Sequence, residues 1–485
     1  MVRITAGCVA LAAISLLGPS QPSYDPWAWL VWGREIAHLS LDTTSGPSWK
    51  PLPVVFTTLF APFSGLDDRI PPAMWIVVAR TGGLLAVVLA FRVAARLAGG
   101  PSVRQWTAGT VAAAALLLTP EWFRYLVHGN EVPLAIALAL AAVDRHLDGA
   151  RRSAFVLGAL VCLARPELFG FLALYGAYLW WTEPGRHTLV GATAILVPAA
   201  WLLPSWIGAG NPFSAGNQAR SEPSWSLSLA PEPWREALSV AQQQAPLVIQ
   251  VLALVAVGAA LARRRPGSPG PERPGAVVAV GAFALTVVAL YVAMTEAGFS
   301  GNARYVLPAI AAIAVLGGVG AAVAGDLLAR AAGVRHPAAV AVAGIVLLLP
   351  ATSEIRAHLR ATRAETGEAL ERSRLHSRLD GAVREVGERF VLLFGPPTVN
   401  RSFQTHLAWD LQLRLGDVHG SRGRGLVFRA PVRPVAGVVR VYPRARKRLL
   451  IARFGPWTVS ERSAATHVFT WPIEGFSLRR ARDSG

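Results

Sequence analysis

The chain contains 485 residues, of which 53% are hydrophobic and only 16% are charged. Because a soluble globular protein carries about 25% charged residues, this composition argues against a soluble enzyme. The net charge is +18, yet Lys occurs only at Lys50 and Lys447. The other basic residues are Arg, and the Arg, Ala, Gly and Pro bias is typical of a high-GC genome rather than of nucleic-acid binding. Cys8 and Cys162 lie in apolar runs, so no disulfide framework or CxxC metal site is available.

Eleven apolar runs are candidates for membrane-spanning helices, each of which needs roughly 20 mostly apolar residues. They lie at 4–18, 73–91, 106–119, 132–144, 153–164, 167–181, 188–204, 246–262, 275–294, 305–324 and 336–350. The first run also has features of a signal peptide, but we predict that it is retained because many spans follow it. The predicted fold class is an all-α polytopic membrane protein with about 11 transmembrane helices.

The segment between the first two runs predicts two further helices that lie at the membrane surface. The first lies within Ser23–Ile36 and has Asp25 at its start. The second, at 52–63, follows Lys50 and is short enough to be interfacial or re-entrant rather than spanning. Tryptophans in the first helix are typical of a helix at the lipid headgroup level. These tryptophans are Trp27, Trp29 and Trp32.

Basic residues predict the orientation, because cytoplasmic loops are enriched in Lys and Arg. With the N-terminus inside, the predicted inner segments hold 14 basic and five acidic residues, whereas the outer segments are richer in acids. We therefore predict a multi-pass plasma-membrane protein with a cytoplasmic N-terminus. The stretch 153–181 is predicted as two short spans, because one long helix would place Arg263, Arg264 and Arg265 outside.

The composition changes after residue 350, where residues 351–485 carry a net charge of +12 and no spanning run. Short apolar runs bounded by Gly and Pro predict strands there. The predicted elements are a charged helix at 354–390, strands at Phe390–Phe394, Leu426–Phe428 and Gly437–Val441, and a helix at 400–415. We predict a transmembrane domain at 1–350 and a small α/β extracytoplasmic domain at 351–485.

Ionisable residues are nearly absent from the predicted spans and collect at their outer ends, a position that suits a substrate with a lipid tail and a polar head. Several occur in short motifs, which follow one another in a fixed order. These are Asp25, Trp49-Lys50-Pro51-Leu52-Pro53, Val78–Leu84 with Ala94–Gly99, Thr119-Pro120 followed by Arg124 and Glu131, Leu163-Ala164-Arg165-Pro166-Glu167, and Asn302–Pro308 with Arg304.

The order of these motifs resembles that of the membrane-embedded GT-C type glycosyltransferases, and most closely their protein O-mannosyltransferase and aminoarabinose-transferase branch. The resemblance covers roughly residues 1–350. Two departures leave the donor and the branch open. Pro26 stands where many relatives carry a second acid, and Lys-Pro-Leu-Pro replaces Lys-Pro-Pro-Leu.

The resemblance implies transfer of a sugar from a polyprenyl-phosphate carrier to a cell-envelope glycan, lipid or protein on the outer face of the plasma membrane. This reaction needs a general base for the acceptor hydroxyl and cations for the departing phosphate. The implied site residues are Asp25 as the base, Lys50, Arg165 and Arg304 as phosphate ligands, and Glu131 and Glu35 as acceptor or support groups. We identify no metal-ligand cluster and no certain cofactor. Some relatives use a divalent cation and others do not.

Each candidate also has a structural interpretation. Asp25 suits the N-cap of the helix that follows it, and Lys50 suits a lysine that extends to the headgroups. Glu131 is equally typical of a solvated loop acid. Arg80 is equally typical of a packing or pairing role, and His128 is predicted to be a plain loop residue rather than a ligand.

Two other classes of function stay open. A transporter predicts charges or broken helices at mid-span, and the predicted spans contain few of either. A non-enzymatic scaffold could bind anionic envelope polymer through the basic residues of 351–485. Neither explains the acids and bases around the first outer loop, so the sequence favours the glycosyltransferase.

Overall fold

The computed structural model describes residues 1–220, 225–262, 270–333, 352–420, 426–429, 448–454 and 457–462. Most of the described chain is helical. The helices are α1 (Val2–Ile14), α2 (Tyr24–Ala37), α3 (Pro51–Phe60), α4 (Ile70–Ala98), α5 (Ser102–Leu117), α6 (Trp122–Val127), α7 (Val132–Leu147), α8 (Arg151–Ala164), α9 (Phe169–Thr182), α10 (His187–Ala209), α11 (Ser214–Ala219), α12 (Pro233–Gln243), α13 (Leu247–Ala262), α14 (Pro274–Glu296), α15 (Leu307–Ala331), α16 (Thr352–Val386), α17 (Glu388–Leu393) and α18 (Gln404–Asp410). The strands are β1 (Thr398–Val399), β2 (Leu426–Arg429), β3 (Arg448–Phe454) and β4 (Trp457–Arg462).

Helix α15 forms the centre of the bundle and is buried along most of its length. Glycines allow its neighbours to approach closely, as is common between membrane helices. A Cβ atom on Gly318 would overlap the carbonyl oxygen of Ala108 in α5, and one on Gly320 would overlap that of Leu252 in α13. The packing of α15 therefore depends on backbone contact rather than on large side chains.

Among the described residues, four helices are each long and apolar enough to cross a membrane, namely α4, α10 with its preceding turn, α14 and α15. A fifth candidate is the pair α12 and α13, which is bent by 90°. The chain is thus a polytopic helical membrane protein, although these lengths do not establish the predicted number of 11 spans. Every predicted run up to residue 324 coincides with a helix, and the last run, 336–350, lies outside the described residues.

Helices α8 and α9 form the two separate helices predicted within 153–181. They fold back on each other, since the rings of Phe155 and Tyr175 stack with centroids 6.3 Å apart and Arg151 pairs with Glu183 at 2.7 Å. The break follows from Pro166, because the residue before a proline is disfavoured in helical conformation. Arg165 has non-helical backbone angles there and lies in the turn between the two helices.

Helix α2 is buried in protein from Pro26 to Glu35. The prediction that its tryptophans lie among lipid headgroups is therefore wrong, since Trp27, Trp29 and Trp32 are 3%, 0% and 0% exposed. They are covered by α3, by α4 and by part of residues 352–420, with which they share one hydrophobic core. The second predicted helix is α3, which continues as a 3-10 turn from Ala61 to Gly65.

The described residues after 351 combine helices with a four-stranded sheet of order β1-β2-β4-β3. Strands β1 and β2 are parallel, with Val399 opposite Phe428, and the other pairs are antiparallel. Part of this segment shares its core with α2, so it packs directly on the first loop. The division of the chain at residue 350 stays a prediction, because 334–351 lie outside the described residues.

Three of the four short elements predicted in this segment can be compared with the structure. The strand predicted at Phe390–Phe394 is wrong, because these residues belong to helix α17 and the turn that ends it. A five-residue apolar run fits either element, and here the helix buries only Val391. The helix predicted at 400–415 is present only over Gln404–Asp410, as α18, and the strand at Leu426–Phe428 is present as β2. The strand predicted at Gly437–Val441 lies outside the described residues.

Candidate active site

Glu131 is the centre of the candidate site. It immediately precedes α7 and its side chain is fully buried. Its Oε1 atom accepts a hydrogen bond from Lys50 Nζ and lies 3.2 Å from Arg165 Nη1. Because Lys50 precedes α3 and Arg165 follows α8, the carboxylate joins three helix ends. Glu131 is therefore not a solvated loop acid, and Lys50 does not extend to the headgroups.

Arg165 extends the network to the turn before α15. Its Nη2 atom donates a hydrogen bond of 2.6 Å to the carbonyl oxygen of Arg304, and its guanidinium lies 5.1 Å from the ring centre of Tyr305. Its Nε atom also lies 2.8 Å from Glu167. The Asn302 side chain accepts a hydrogen bond from the Arg304 amide and so closes the turn. Arg165 thus fixes the backbone that carries Arg304.

Arg304 links this network to the predicted general base. Its Nη1 atom lies 2.6 Å from Oδ2 of Asp25. Asp25 is within the first turn of α2, whose N-cap is Ser23, so the N-cap interpretation of Asp25 does not hold. Residues from five separate parts of the sequence therefore form one continuous network. We call this network the site cluster: Asp25, Lys50, Glu131, Arg165, Glu167 and Arg304.

The site cluster pairs three cations with three carboxylates. Burial alone would raise the pKa of Glu131, but the charges of Lys50, Arg165 and Arg304 outweigh it and lower that pKa to about 2. Burial lowers the pKa of Lys50, although Glu131 opposes the shift. Asp25 raises the pKa of Arg304 well above its usual range despite burial. Glu131 is therefore anionic at neutral pH, and it holds the cations in place.

Exposure increases from one end of the site cluster to the other. The side chains of Glu131 and Arg165 are 0% and 2% exposed, and that of Lys50 is 8% exposed. At the other end, Asp25 and Arg304 are 16% and 20% exposed. A ligand from outside would therefore meet Asp25 and Arg304 first, with Lys50 and Arg165 behind them.

The structure does not bring Glu35 to the site cluster. It lies ten residues beyond Asp25 on α2, which is about 15 Å along the helix axis. Its buried carboxylate accepts a hydrogen bond of 2.9 Å from the amide of Asp42. Burial raises the pKa of Glu35 to about 7, which the bond to Asp42 partly opposes. Glu35 therefore orders the loop after α2.

The structure places Arg80 and His128 in packing and loop contacts. Arg80 donates hydrogen bonds of 3.0 Å to the carbonyl oxygens of Leu126 and Ser15. His128 is buried, and its Nδ1 atom lies 3.3 Å from the carbonyl oxygen of Gln21. Both side chains tie loops together at the same end of the bundle.

Sequence reasoning missed several residues with polar contacts. Glu167 and Tyr305 lie within the motifs quoted above but were not assigned a role. Three more residues, Asp380, His406 and Asp410, come together although no metal-ligand cluster was predicted. His406 and Asp410 are four residues apart, so they lie on one face of a helix. This spacing is visible in the sequence, but it is too common to indicate a metal site. Asp380 belongs to another helix, so no motif contains all three.

The polytopic helical fold that carries this buried network is also found in solved structures. Two solved structures share the fold, the crystal structures of ArnT from Cupriavidus metallidurans bound to undecaprenyl phosphate and in the apo state. Each has a TM-score of 0.54 and 14% sequence identity, and the match covers 96% of this chain and 98% of that chain. No protein-family model and no curated protein matches the chain.

Proposed function

We propose that this protein is a glycosyltransferase that moves a sugar from a polyprenyl-phosphate carrier to a cell-envelope acceptor on the outer face of the plasma membrane. The observation that carries the proposal is the site cluster, in which Asp25 lies 2.6 Å from a cation and two further cations lie behind it. The shared fold with ArnT, which was crystallised with undecaprenyl phosphate, supports a lipid-phosphate donor.

In the proposed reaction, the acceptor hydroxyl oxygen attacks the anomeric carbon of the sugar. The bond between that carbon and the phosphate oxygen breaks, and polyprenyl phosphate leaves with the bonding electrons. The acceptor proton passes to Asp25, which acts as a general base. Asp25 suits this role because its carboxylate is at the more exposed end of the site cluster.

We assign the direct contact with the donor phosphate to Arg304. It is the most exposed of the three cations, and its guanidinium has five N–H donors, which suit a phosphate. At rest Arg304 pairs with Asp25. A bound phosphate competes for the guanidinium, and the Asp25 oxygen is then free to accept the proton from the acceptor.

Lys50 and Arg165 support the phosphate from behind. Both are nearly buried, so their charges act through a medium of low dielectric constant and are worth more than in water. Glu131 fixes their positions before the donor arrives, which avoids reorganisation while charge grows on the phosphate. In this assignment Glu131 supports the cations and does not bind the acceptor.

The proposal is tested with membranes that contain the full chain and with radiolabelled polyprenyl-phosphate sugars. Asp25→Asn keeps the size of the side chain but removes the base, so we expect transfer to fall by about 100-fold or more. Asp144→Asn, at the opposite end of α7, is the matched control and is expected to retain transfer. Full activity of a folded Asp25→Asn protein would overturn the assignment of the base.

The competing functions give different results in the same membranes. A transporter would move the labelled lipid between leaflets without transferring its sugar to an acceptor. A scaffold would bind envelope polymer without consuming any donor. Either result with the unmodified chain would overturn the glycosyltransferase proposal.

The outer location is tested separately with a topology reporter fused after residue 350. The proposal requires this point to be extracytoplasmic, because the segment after 351 packs on α2, which carries Asp25. A cytoplasmic signal would place the site cluster on the inner face and contradict an outer acceptor.

A further inference from the structure

Two carboxylates and one imidazole converge beneath α2, away from the site cluster. His406 Nε2 lies 2.8 Å from Oδ1 of Asp380 and 3.5 Å from Oδ1 of Asp410. One ligand atom from each of the three residues falls within 4.8 Å of the others. Asp380 is near the C-terminal end of α16, and the other two are four residues apart on α18, so two packed helices supply the group.

Among the described residues, three of the inward-facing atoms have no hydrogen-bond partner. They are His406 Nε2, Asp380 Oδ1 and Asp410 Oδ2. His406 is fully buried, and its other ring nitrogen lies 2.9 Å from Nδ1 of His376. A buried polar atom without a hydrogen bond is costly and calls for a partner. His406 Nε2 and Asp380 Oδ1 are close enough to form an ion pair, whereas Asp410 Oδ2 has no hydrogen-bond partner among the described residues.

The distances fit a small metal ion. Ligands about 2.0–2.1 Å from a tetrahedral zinc ion are about 3.3 Å from one another, and the two observed separations from His406 lie on either side of that value. A divalent ion also neutralises the two carboxylates.

We propose that Asp380, His406 and Asp410 bind a divalent transition-metal ion of the zinc type. One imidazole nitrogen and two carboxylates suit zinc better than calcium or magnesium, which prefer oxygen ligands alone. His376 contacts the second ring nitrogen of His406 and fixes the ring, as outer-shell partners do at zinc sites. The side chains of Asp380 and Asp410 are 24% and 16% exposed, which leaves a path for the ion.

The ion would hold the segment after residue 351 against the first loop. The ring of His406 stacks on Trp27 with centroids 4.1 Å apart and an angle of 14° between the planes. The neighbouring Thr405 hydroxyl donates a hydrogen bond of 2.8 Å to the carbonyl oxygen of Tyr24. Fixing α18 to α16 therefore fixes the surface on which α2 rests. The role is structural and does not depend on the proposed glycosyl transfer.

The test uses the purified full chain, stripped with a chelator and titrated with zinc ion alone. We expect one zinc ion per chain, and an affinity at least about 10-fold weaker for Asp380→Asn or Asp410→Asn. These changes keep the side-chain size and leave the stacking of His406 on Trp27 intact. Glu371→Gln is the matched control, because this carboxylate is also on α16 but is 79% exposed.

Zinc binding well below one ion per chain, or equal affinity of the wild-type, Asp380→Asn and Asp410→Asn proteins, would overturn the metal site. Thermal unfolding gives a second readout, since an ion that binds only the folded chain raises its melting temperature. We expect this rise in the wild type and in Glu371→Gln, and its loss in Asp380→Asn and Asp410→Asn. An equal rise in all four proteins would contradict the proposal. Neither measurement uses a sugar donor, so both are independent of the transferase assay.

Discussion

Helix α7 has a carboxylate bound by several cations at each end, and the two groups differ in their contact with water. Before its first residue, Glu131 binds Lys50 and Arg165, whose side chains are 8% and 2% exposed. In its last turn, Asp144 binds Arg92 and Arg96, whose side chains are 40% and 20% exposed. The two carboxylates are about 20 Å apart along the helix.

This difference in exposure indicates that the network around Asp144 is explained by stability alone, whereas the network around Glu131 is not. Exposed ion pairs contribute about 0–1 kcal/mol each, because water already solvates their charges. Buried pairs must first lose that solvation, so they add little stability compared with an apolar core. The cations around Asp144 also offset an acid near a helix C-terminus, which is unfavourable for the helix dipole. No such structural need explains the two buried cations that bind Glu131, and this supports a functional role for them.

The largest effect that separates the two ends is expected from Glu131→Gln. The change leaves Lys50 and Arg165 buried without their shared carboxylate, and breaking a buried pair costs about 3–5 kcal/mol. Asp144 is also nearly buried, but Asp144→Asn leaves cations that water can solvate, so we expect a smaller cost than for Glu131→Gln. Melting temperatures of the two variants in the same detergent measure the difference. Equal decreases would show that burial does not distinguish the two ends.

A smaller effect is expected in double-mutant cycles, which isolate one pair at each end. For Lys50→Met combined with Glu131→Leu, we expect a coupling energy of about 1–3 kcal/mol, since both partners are buried. For Arg92→Met combined with Asp144→Leu, we expect less than about 1 kcal/mol. The four proteins of each cycle are compared by thermal unfolding. A stronger coupling at the Asp144 end would reverse our interpretation.

The smallest effect concerns Glu35, a third carboxylate, which is buried beside a backbone donor instead of several cations. Its pKa is raised to about 7, so the folded chain binds its proton more tightly than the unfolded chain. The contribution of Glu35 to the free energy of unfolding is therefore complete below the unfolded pKa of about 4.3, and it is lost as the pH rises through about 7. Glu35→Gln should remove this dependence.

Melting temperatures of the wild type and Glu35→Gln between about pH 5 and pH 8 test this expectation. The wild type should lose stability relative to the variant as the pH rises. Its melting temperature should fall by about 2–4 °C for each kcal/mol of unfolding free energy that is lost. Parallel curves over this range would show that the folded chain does not hold the proton of Glu35.

Local features of the fold were predictable from sequence because their causes are local. The break at Arg165 follows from Pro166. Helix α2 follows from its apolar run after Ser23, and strand β2 from the run Leu426–Phe428. The site candidates were found through the order of family motifs, and the structure brings all of them together except Glu35.

Features that depend on distant partners were not predictable. Lys50 and Glu131 are 81 residues apart, and nothing near either residue shows that the other neutralises it. The burial of Trp27 depends on His406, which is contributed by a separate segment of the chain. Helix α17 was mistaken for a strand because its few apolar residues fit both periodicities. In each case the deciding contact is tertiary.

The covering of α2 by a late segment has a consequence for biosynthesis. The ribosome synthesises α2 long before it synthesises α18 with Thr405 and His406. The tryptophan side chains of α2 therefore lack their final neighbours during that interval. During that interval the polar–apolar boundary of the bilayer is the environment that tryptophan prefers. If α2 lies at this interface during synthesis, its tryptophan rings stay out of water until the segment that buries them has been translated.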